Sequence, residues 1–313
     1  MTTTPPRLML LDTASLYFRA FFGVPDSIVA PDGTPVNAVR GLLDFISRLV
    51  TDYTPTDLVA CWDDDWRPEF RVAAIPSYKA HRVATDSGTE EEEVPDLLSP
   101  QVPIISDCLA ALGIARVGAP GFEADDVIAT LTERAAGPVL IVTGDRDLFQ
   151  LVDDARPVGV LYTAARGVGR AELVTEAWIA EKYEIPGNRY AAFATLRGDP
   201  SDGLPGVRGI GAKTAADLLN RFGTIAGIQA AAADPETTLT PSVRRKIIEG
   251  ADYLQIAPQV VEVVRTVPLP AVDSHLPKRP ADSERLAELA QRWGLKTPLN
   301  ALAAALGQGA ATP

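Results

Sequence analysis

Residues 139–147 read Val-Leu-Ile-Val-Thr-Gly-Asp-Arg-Asp, an apolar run followed closely by two carboxylates. Such a run is typical of a strand buried on both faces of a parallel sheet. Asp145 would end that strand and Asp147 would enter the next helical turn, so both side chains are predicted to face the same edge of the sheet. Helix capping explains about one of the two aspartates. The other indicates a ligand for a metal ion.

The same arrangement recurs elsewhere in the chain. The further acidic residues are Asp12 after 8–11, Asp63 after 58–62, Glu123, Asp125 and Asp126 after a Gly-Pro turn, and Asp199 and Asp202 in a loop rich in Gly and Pro. The carboxyl ends of parallel strands share one edge of the sheet. Nine acidic groups would repel one another there unless divalent cations neutralised them. Hard cations take oxygen ligands, which indicates Mg²⁺ or Mn²⁺. For 123–126 alone, stabilisation of a helix dipole is an equally good explanation.

Strand-like segments alternate with helical patterns along the first half of the chain. The strands are predicted near 7–11, 58–62, 115–118, 138–143 and 158–162, and the helices near 36–50, 97–112 and 124–135. This alternation predicts an α/β fold with a mostly parallel sheet covered by helices on both faces. Such sheets bind ligands beyond the carboxyl ends of their strands, which is where the acidic residues fall.

The composition is typical of a protein with a sizeable core. The chain has 313 residues, a net charge of −12, 46% hydrophobic residues and two cysteines, which suits one large domain or one domain with a smaller module. We find no apolar run of about 18 residues that would span a membrane, and residues 1–6 lack the pattern of a signal peptide. Cys61 and Cys108 lack His or Cys neighbours at zinc spacing, which favours inert core thiols in a reducing cytosol. Net acidity argues against a nucleic-acid partner unless metals neutralise the acidic edge.

Residues 77–96 differ from the rest in composition. A basic and aromatic stretch contains Tyr78, Lys79, His81 and Arg82, and four glutamates follow at 90–93. A solvated mobile loop explains the glutamates equally well. The basic half is predicted to order on binding as a flap above the acidic edge. Tyr78 would either pack beneath this flap or stack on an unpaired base, and His81 suits a phosphate or surface contact better than a general base.

A glycine-rich stretch after Asp202 leads into a helix. Residues 206–214 read Gly-Val-Arg-Gly-Ile-Gly-Ala-Lys-Thr, which is typical of a helix-hairpin-helix, where amides of a tight turn and a helix N-terminus hold a phosphate without reading bases. The spacing excludes a P-loop. Further helices are predicted at 241–257, with Arg244, Arg245 and Lys246 near the start, and at 283–293, and residues 308–313 are predicted to be disordered.

Together these stretches resemble the 5′-nuclease superfamily, the flap endonucleases and the 5′→3′ exonuclease domain of bacterial DNA polymerase I. The motifs occur in the family's order over residues 7 to about 260, namely at 10–13, 61–63, 70–71, 78–82, 121–128, 143–147, 198–202 and 206–214. The resemblance implies a PIN-like three-layer α/β fold with a mostly parallel sheet, a helical arch at about 77–96 and a helix-hairpin-helix module of the H2TH type. The implied domains are a nuclease core over 1–185, the DNA-binding module over 186–270, and a C-terminal strand, helix and tail over 271–313.

The resemblance also implies roles for individual residues. Asp12, Asp63, Glu123 and Asp125 match a first metal site, Asp126 matches an accessory carboxylate, and Asp145, Asp147, Asp199 and Asp202 match a second site. Lys79 and Arg82 match arch residues that contact the scissile phosphate and steady the 5′ end, and Arg19, Arg71, Tyr78 and His81 are further predicted DNA contacts. The predicted hairpin contacts to duplex backbone are Arg208, Gly209, Gly211, Lys213 and Thr214, with K⁺ held by the carbonyls of Val207 and Ile210. The chain departs from the family pattern at two places. The spacing from 63–65 to Phe70-Arg71 is one residue longer, so the ligand could be Asp64, although the strand end favours Asp63. Pro200 and Gly203 stand in place of the usual Ser and Asn.

These features predict a structure-specific DNA 5′-nuclease with 5′→3′ exonuclease and flap endonuclease activity. Two or more Mg²⁺ or Mn²⁺ ions would serve phosphodiester hydrolysis that leaves a 5′-phosphate and a 3′-hydroxyl. The predicted catalytic residues are Lys79, Arg82, Asp145 and Asp147. The expected substrates are DNA 5′ ends, flaps or nicks, or RNA/DNA hybrids, in replication, repair and Okazaki fragment processing. A monomer in the bacterial cytoplasm, associated with the nucleoid and not with a membrane, is expected.

Three alternatives compete with this prediction. A PIN-type ribonuclease shares the core but lacks a helix-hairpin-helix module. A non-catalytic protein that binds DNA junctions would not need the full set of acidic residues. A HAD-type phosphatase would use Asp12 as nucleophile, but it needs an acid two residues further on, where Ala14 stands.

Overall fold

A computed structural model of the protein describes residues 8–84, 92–163 and 167–309. Its sheet contains β1 (Leu8–Asp12), β2 (Asp57–Cys61), β3 (Ala115–Val117), β4 (Val139–Thr143), β5 (Val158–Tyr162) and β6 (Glu172–Val174), in the order β3-β2-β1-β4-β5-β6. The first five strands are parallel, as predicted, and β6 adds an antiparallel edge. The strand order reverses between β1 and β4, so a crevice opens at their carboxyl ends.

Helices cover both faces of this sheet and confirm the predicted three-layer α/β arrangement. The first group comprises α1 (Thr13–Gly23), α2 (Asn37–Tyr53), α3 (Glu69–Ala74), α4 (Gln101–Leu112) and α5 (Ala124–Arg134). Alternate residues of the central strands point to opposite faces. Leu10 and Ile141 therefore share a core with α5 on one face, while Met9 and Val142 share a core with α2 and α4 on the other.

A second group of helices extends one of these cores. It comprises α6 (Glu176–Tyr183), α7 (Tyr190–Arg197), α8 (Ala212–Phe222), α9 (Ile225–Ala233), α10 (Pro241–Glu249), α11 (Ala251–Ile256) and α12 (Pro258–Val261). The helix predicted at 241–257 is divided at Gly250. Tyr190 packs edge-on against Phe149 with ring centroids 5.3 Å apart, a geometry worth about 0.5–1.5 kcal/mol beyond area burial. The turn that follows β4 at the acidic edge and the second group of helices therefore share one hydrophobic core.

The C-terminal segment returns to the sheet. Leu58 N donates to Ser274 O at 2.7 Å and Leu276 N donates to Thr56 O at 3.0 Å, so the predicted C-terminal strand is a single antiparallel bridge beside β2. Beyond it, α13 (Ser283–Arg292) packs on α4, and α14 (Lys296–Gly309) packs on α2. This contact ties the end of the chain to the first helices.

Part of the predicted arch lies within the structure. Residues 80–82 form one 3₁₀ turn, whereas residues 85–91, at the centre of the predicted arch, lie outside the described residues, as do residues 1–6. The disorder predicted for 308–313 is wrong at Gln308 and Gly309, which lie in α14, and residues 310–313 lie outside the described residues. Cys61 and Cys108 are both buried and free, and burial raises the pKa of Cys108 to about 12, as expected of inert core thiols. In the three described ranges, every helix is too short or too polar to cross a bilayer.

Candidate metal centre

Five of the predicted acidic residues line one cavity at the carboxyl edge of the sheet. They are Asp12, Asp63, Glu123, Asp125 and Asp145, and the cavity has a volume of about 880 Å³. Asp12 ends β1, whereas Asp63 and Asp145 follow the ends of β2 and β4. Because β1 pairs in parallel with both β2 and β4, the three side chains emerge at the same edge. The cavity therefore collects acids that are far apart in sequence.

Hydrogen bonds from neighbouring elements orient these carboxylates. Asp12 accepts from Ser15 N at 3.2 Å, so it caps α1, and from the Thr143 hydroxyl at 2.6 Å across the sheet. Asp63 accepts from Ala124 N at 2.8 Å, at the N-terminus of α5. Capping of α1 thus explains the position of one oxygen of Asp12. It does not explain why a second carboxylate, that of Asp63, lines the same cavity.

The pKa values of this group show how poorly the site tolerates its own negative charge. Burial, Asp63 and Asp145 raise the pKa of Asp12 to about 7. Burial and the charges of Asp145, Asp12 and Glu123 raise the pKa of Asp125 well above its usual value. Clustered carboxylates with raised pKa values are stabilised in the charged form by a cation. The donors are all carboxylate oxygens, which fits Mg²⁺ or Mn²⁺.

A second group of acids lies beside Asp145. Asp147 opens a 3₁₀ turn directly after β4, and burial together with Asp145, Asp202 and Asp199 raises its pKa. Asp199 caps the short turn over 200–202 through Ser201 N at 2.9 Å. Asp202 is buried and accepts from the Arg82 guanidinium at 2.9 Å. Asp147 and Asp202 therefore lie close to Asp145, and Asp199 lies close to Asp147. A second cation site at these residues stays a prediction.

Basic side chains neutralise part of this acidic edge. Lys79 is buried, its backbone is left-handed at φ 48°, and its ammonium donates to Glu123. Burial would raise the pKa of Glu123, but the charges of Lys79 and Arg71 outweigh it and hold that pKa below its usual range. Across the described residues, no three His, Cys, Asp or Glu side chains are already arranged to hold a metal ion. Glu123, one of the acids that line the cavity, is thus bound to Lys79 in this structure.

Arg71 and Asp126 have roles other than those predicted. Arg71 is 2% exposed and donates to both oxygens of Asp126, at 2.9 and 2.6 Å. Asp126 also accepts from Glu123 N at 3.2 Å and Val264 N at 2.7 Å, which fills the roughly four acceptor positions of a carboxylate. The structure contradicts a metal-ligand role for Asp126 and a DNA contact for Arg71, because both groups are buried and committed to each other.

Tyr78 is also buried, which corrects the stacking prediction. Its side chain is 3% exposed, and its hydroxyl donates to Glu123 at 2.7 Å. The ring therefore packs beneath the basic segment, the alternative that the sequence left open, and no face is available to an unpaired base. Tyr78 holds Glu123 from one side while Lys79 holds it from the other.

The remaining basic residues of this region differ in exposure. Arg82 donates to Asp202 and, at 2.7 Å, to Ser201 O, and it lines the cavity together with Arg19. His81 is exposed, which agrees with a phosphate or surface contact. Arg82 and Arg19 thus bring positive charge to the edge of the acidic cavity.

The surroundings of Asp64 and Gly203 explain the two departures from the family pattern. Asp64 is exposed and pairs with Arg116 at 3.0 Å, whereas Asp63 faces the cavity, so Asp63 is the better ligand candidate. Gly203 has φ +71°, and a Cβ there would collide with the carbonyl oxygen of Ser77. The loop over 199–204 thus needs glycine at this point to contact the basic segment.

The glycine-rich stretch forms a hairpin ahead of α8. Ile210 N donates to Val207 O at 2.9 Å, Gly209 has φ +79°, and Gly211 directly precedes the first residue of α8. The predicted contact residues Arg208, Gly209, Gly211 and Lys213 are exposed, and Thr214 is half-buried. Lys246 of α10 donates to Gly209 O at 2.9 Å and adds a charge that was not assigned to the hairpin from sequence.

Several residues of the site have no signal in a single sequence. Thr143 orients Asp12, and Phe18 and Phe22 of α1 give the cavity an apolar wall. Phe22 is 75% exposed. Hydroxyl and aromatic residues occur throughout the chain. The pairing of β1 with β4 brings Thr143 to Asp12, and the position of α1 brings Phe18 and Phe22 to the cavity.

The raised pKa values predict that the metal-free protein loses stability as pH rises from 6 to 8. The pKa of Asp12 is about 7 in the folded chain, against 3.8 for an unperturbed aspartate, so the folded state binds more protons between these values and unfolding releases them. This stabilisation is present below the unfolded pKa and is lost as pH rises through the folded one, at up to about 1.4 kcal/mol per pH unit for one carboxyl. Thermal melts in EDTA at pH 6, 7 and 8 measure it. Saturating Mn²⁺ should remove the trend, and melting temperatures independent of pH in EDTA would contradict the prediction.

Comparison with known families agrees with this architecture. The family described as "5'-3' exonuclease, N-terminal resolvase-like domain" matches residues 7–184, and "5'-3' exonuclease, C-terminal SAM fold" matches residues 185–284. The structure is similar to that of the T5 D15 protein co-crystallised with metal ions (TM-score 0.62, 15% identity, 97% of this chain and 99% of that one). It is also similar to the Rad2 catalytic core in complex with a DNA substrate (TM-score 0.61, 17% identity, 97% and 93%). At these identities the likeness shows the fold.

Sequence relatives extend the comparison. A 5′-3′ exonuclease of Streptomyces coelicolor is 64% identical over 296 residues, which cover 94% of this chain and 98% of that protein. A 5′-3′ exonuclease of Mycobacterium tuberculosis is 51% identical over 310 residues, covering 96% and 97%. DNA polymerase I of M. tuberculosis is 37% identical over 292 residues, which cover 91% of this chain and 30% of the polymerase. With its parallel sheet, acidic edge and glycine hairpin, the chain thus belongs to the 5′-3′ exonuclease family of nucleases.

Proposed function

We propose that the protein is a structure-specific DNA 5′-nuclease with 5′→3′ exonuclease and 5′-flap endonuclease activity. One observation carries this proposal: acids from separate strands line a single cavity together with Lys79 and Arg82. Phosphodiester hydrolysis needs negative charge on the phosphate to be neutralised and water to be activated, which metal ions do without a protein base. The products would carry a 5′-phosphate and a 3′-hydroxyl.

The two groups of acids correspond to two proposed cation sites. The residues that would hold Mg²⁺ or Mn²⁺ are Asp12, Asp63, Glu123 and Asp125 in the first site, and Asp145, Asp147, Asp199 and Asp202 in the second. Divalent ions held by these residues would supply Lewis-acid stabilisation and would activate water at neutral pH. The protein contributes the orientation of the acids, and Asp126 supports Glu123 without itself being a ligand.

The basic residues would position the substrate. We assign Lys79 to stabilisation of charge at the scissile phosphate, and Arg82, Arg19 and His81 to phosphates near the 5′ end, because Lys79, Arg82 and Arg19 line the cavity and His81 is exposed beside it. When Lys79 leaves Glu123 for a phosphate, Glu123 becomes available to a cation. Substrate and cation binding would therefore support each other.

The hairpin would bind the duplex away from the cut. The exposed residues Arg208, Gly209 and Gly211 and the N-terminus of α8 suit a backbone phosphate. Lys213 and Lys246 add positive charge beside them. The carbonyl oxygens of Val207 and Ile210 are the proposed K⁺ ligands. Stronger duplex binding in KCl than in NaCl at equal ionic strength would support K⁺, and equal binding would argue against it.

The biological setting follows from this chemistry. We propose 5′ ends, flaps and nicks in DNA as substrates, with RNA/DNA hybrids cut at the same site, in replication, repair and Okazaki fragment processing. We further propose a monomeric protein of the bacterial cytoplasm associated with the nucleoid. The domain division proposed for it is a nuclease core over 1–185, a DNA-binding module over 186–270 and a C-terminal segment over 271–313.

A cleavage assay on matched substrates tests the function. End-labelled flap, nicked, single-stranded and RNA-primed duplexes are incubated with Mg²⁺ or Mn²⁺ and, in parallel, with excess EDTA. We expect cleavage at the 5′ side of the flap and nick substrates with either metal and none in EDTA. Cleavage in EDTA would refute the metal mechanism. Cleavage of RNA alone would indicate a PIN-type ribonuclease, and binding without cleavage in Mn²⁺ would indicate a junction-binding protein.

A further inference from the structure

The end of α12 is held by the same buried ion pair that supports Glu123. Arg71 Nε donates to Val260 O at 3.2 Å. Its Nη1 and Nη2 both donate to Asp126, and Nη1 also lies 3.1 Å from Glu123 Oε1. Asp126 in turn accepts from Val264 N at 2.7 Å. One guanidinium therefore contacts a backbone carbonyl of the second helical group, the capping carboxylate of α5 and a proposed metal ligand.

Gln150 links the same stretch of chain to Asp147, a member of the second group of acids. Its amide nitrogen donates to Val261 O at 3.1 Å and to Asp147 O at 2.8 Å, and its oxygen accepts from Val263 N at 3.1 Å. Gln150 is 8% exposed. Residues 260–264 are thus hydrogen-bonded to Arg71 and Asp126, which contact Glu123, and to Gln150, which lies in the turn that carries Asp147.

We propose that Arg71 is a positioning residue for the metal centre, which fixes the Glu123 carboxylate relative to residues 260–264. The inference rests on the proposed function, since Glu123 is a proposed ligand. Its physical basis is the planar guanidinium, which satisfies three differently placed acceptors at once, whereas a lysine ammonium at the same site is a single point of charge. Docking of the second helical group then sets the geometry of the acids.

The test compares Arg71→Lys with wild type in Mn²⁺ binding without DNA, flap-duplex binding in EDTA, and cleavage. Loss of a residue that orients a metal ligand costs about 10- to 100-fold in metal affinity or activity. We expect Mn²⁺ affinity and kcat to fall by that factor, with duplex affinity unchanged because Arg71 is buried. The double variant Arg71→Met/Asp126→Asn, which leaves no buried charge unpaired, should show the same loss if Arg71→Lys folds poorly.

Arg134→Met is the matched control. Arg134, the last residue of α5, also donates to backbone carbonyls just beyond residues 260–264, to Val267 O at 2.9 Å and Leu269 O at 3.2 Å. It does not line the acidic cavity. It should lower the melting temperature and leave Mn²⁺ affinity unchanged. Wild-type Mn²⁺ affinity and kcat in both Arg71 variants, or an equal loss in Arg134→Met, would overturn the proposal. Absence of Mn²⁺ binding by wild type would instead overturn the metal centre itself, and this inference with it.

Discussion

Replacing Asp145 by asparagine is expected to reduce cleavage of a 5′-flap duplex by on the order of 1,000-fold while duplex binding persists. Besides burial, the charge of Asp145 raises the pKa of Asp12 and Asp125 on one side and of Asp147 and Asp202 on the other. Asp145, a proposed ligand of the second site, therefore lies close to both groups of acids, and loss of its charge would affect both. Asparagine keeps the shape and the acceptor for Asp147 N but removes the charge.

Single-turnover cleavage of an end-labelled flap, together with a gel-shift titration, measures this effect. Asp64→Asn is the control, because Asp64 lies in the same acidic stretch of the chain as Asp63 yet is exposed and pairs with Arg116. We expect that variant to cleave like wild type. If Asp145→Asn cleaves at an undiminished rate, the two groups of acids do not act as one catalytic unit.

Replacing Lys79 by methionine is expected to slow cleavage by on the order of 100-fold. Burial alone would lower the pKa of Lys79, but Glu123 and the other acids raise it well above its usual value. The ammonium therefore stays charged throughout the neutral range. Among the basic residues that line the cavity, Lys79 is the buried one, and methionine keeps its length without the charge. Cleavage rates at saturating Mn²⁺ and saturating duplex isolate the chemical step from binding.

Lys182→Met provides the control for this substitution. Lys182 lies on α6, is exposed and stacks on Trp178 at 4.5 Å from the ring centroid, away from the acidic cavity. Its removal should leave the rate unchanged. Full activity of Lys79→Met would mean that the ammonium serves only to neutralise Glu123 in the absence of a cation, and the role at the phosphate would be lost.

The sheet and its acidic edge follow from local sequence. Apolar runs that end in aspartate, as at 8–12 and 139–145, predict both the strand and the position of the carboxylate, because parallel strands end at a common edge. Gathering of the strand-end acids around one cavity then depends on strand order, whereas Glu123 and Asp125 reach it from the start of α5. Edge strand β6 has three residues and one buried side chain, which is too little for a periodic signal.

Exposure of the basic residues does not follow from local sequence. Arg71 and Tyr78 lie in a stretch as polar as that of Arg82, yet the first two are buried and the third is half-buried. The difference arises from residues 260–264, which cover Arg71 and accept its hydrogen bond from far along the chain. The charge of Arg71, which in the sequence appears suited to a phosphate, is thus paired in the interior. Only tertiary contacts distinguish such a buried arginine from one that is available to DNA.

Gly203 shows how a residue with no chemistry of its own sets the shape of the site. Its missing side chain lets the loop that carries Asp202 press against Ser77, and Asp202 O accepts from Lys79 N at 2.9 Å directly beside it. The loop and the basic segment are therefore in direct contact, so a methyl group added at Gly203 would push apart the loop and the backbone of Ser77, two residues before Lys79. An alanine scan that measures turnover alone would therefore group Gly203 with the catalytic residues, although its only contribution is the space left by its missing side chain.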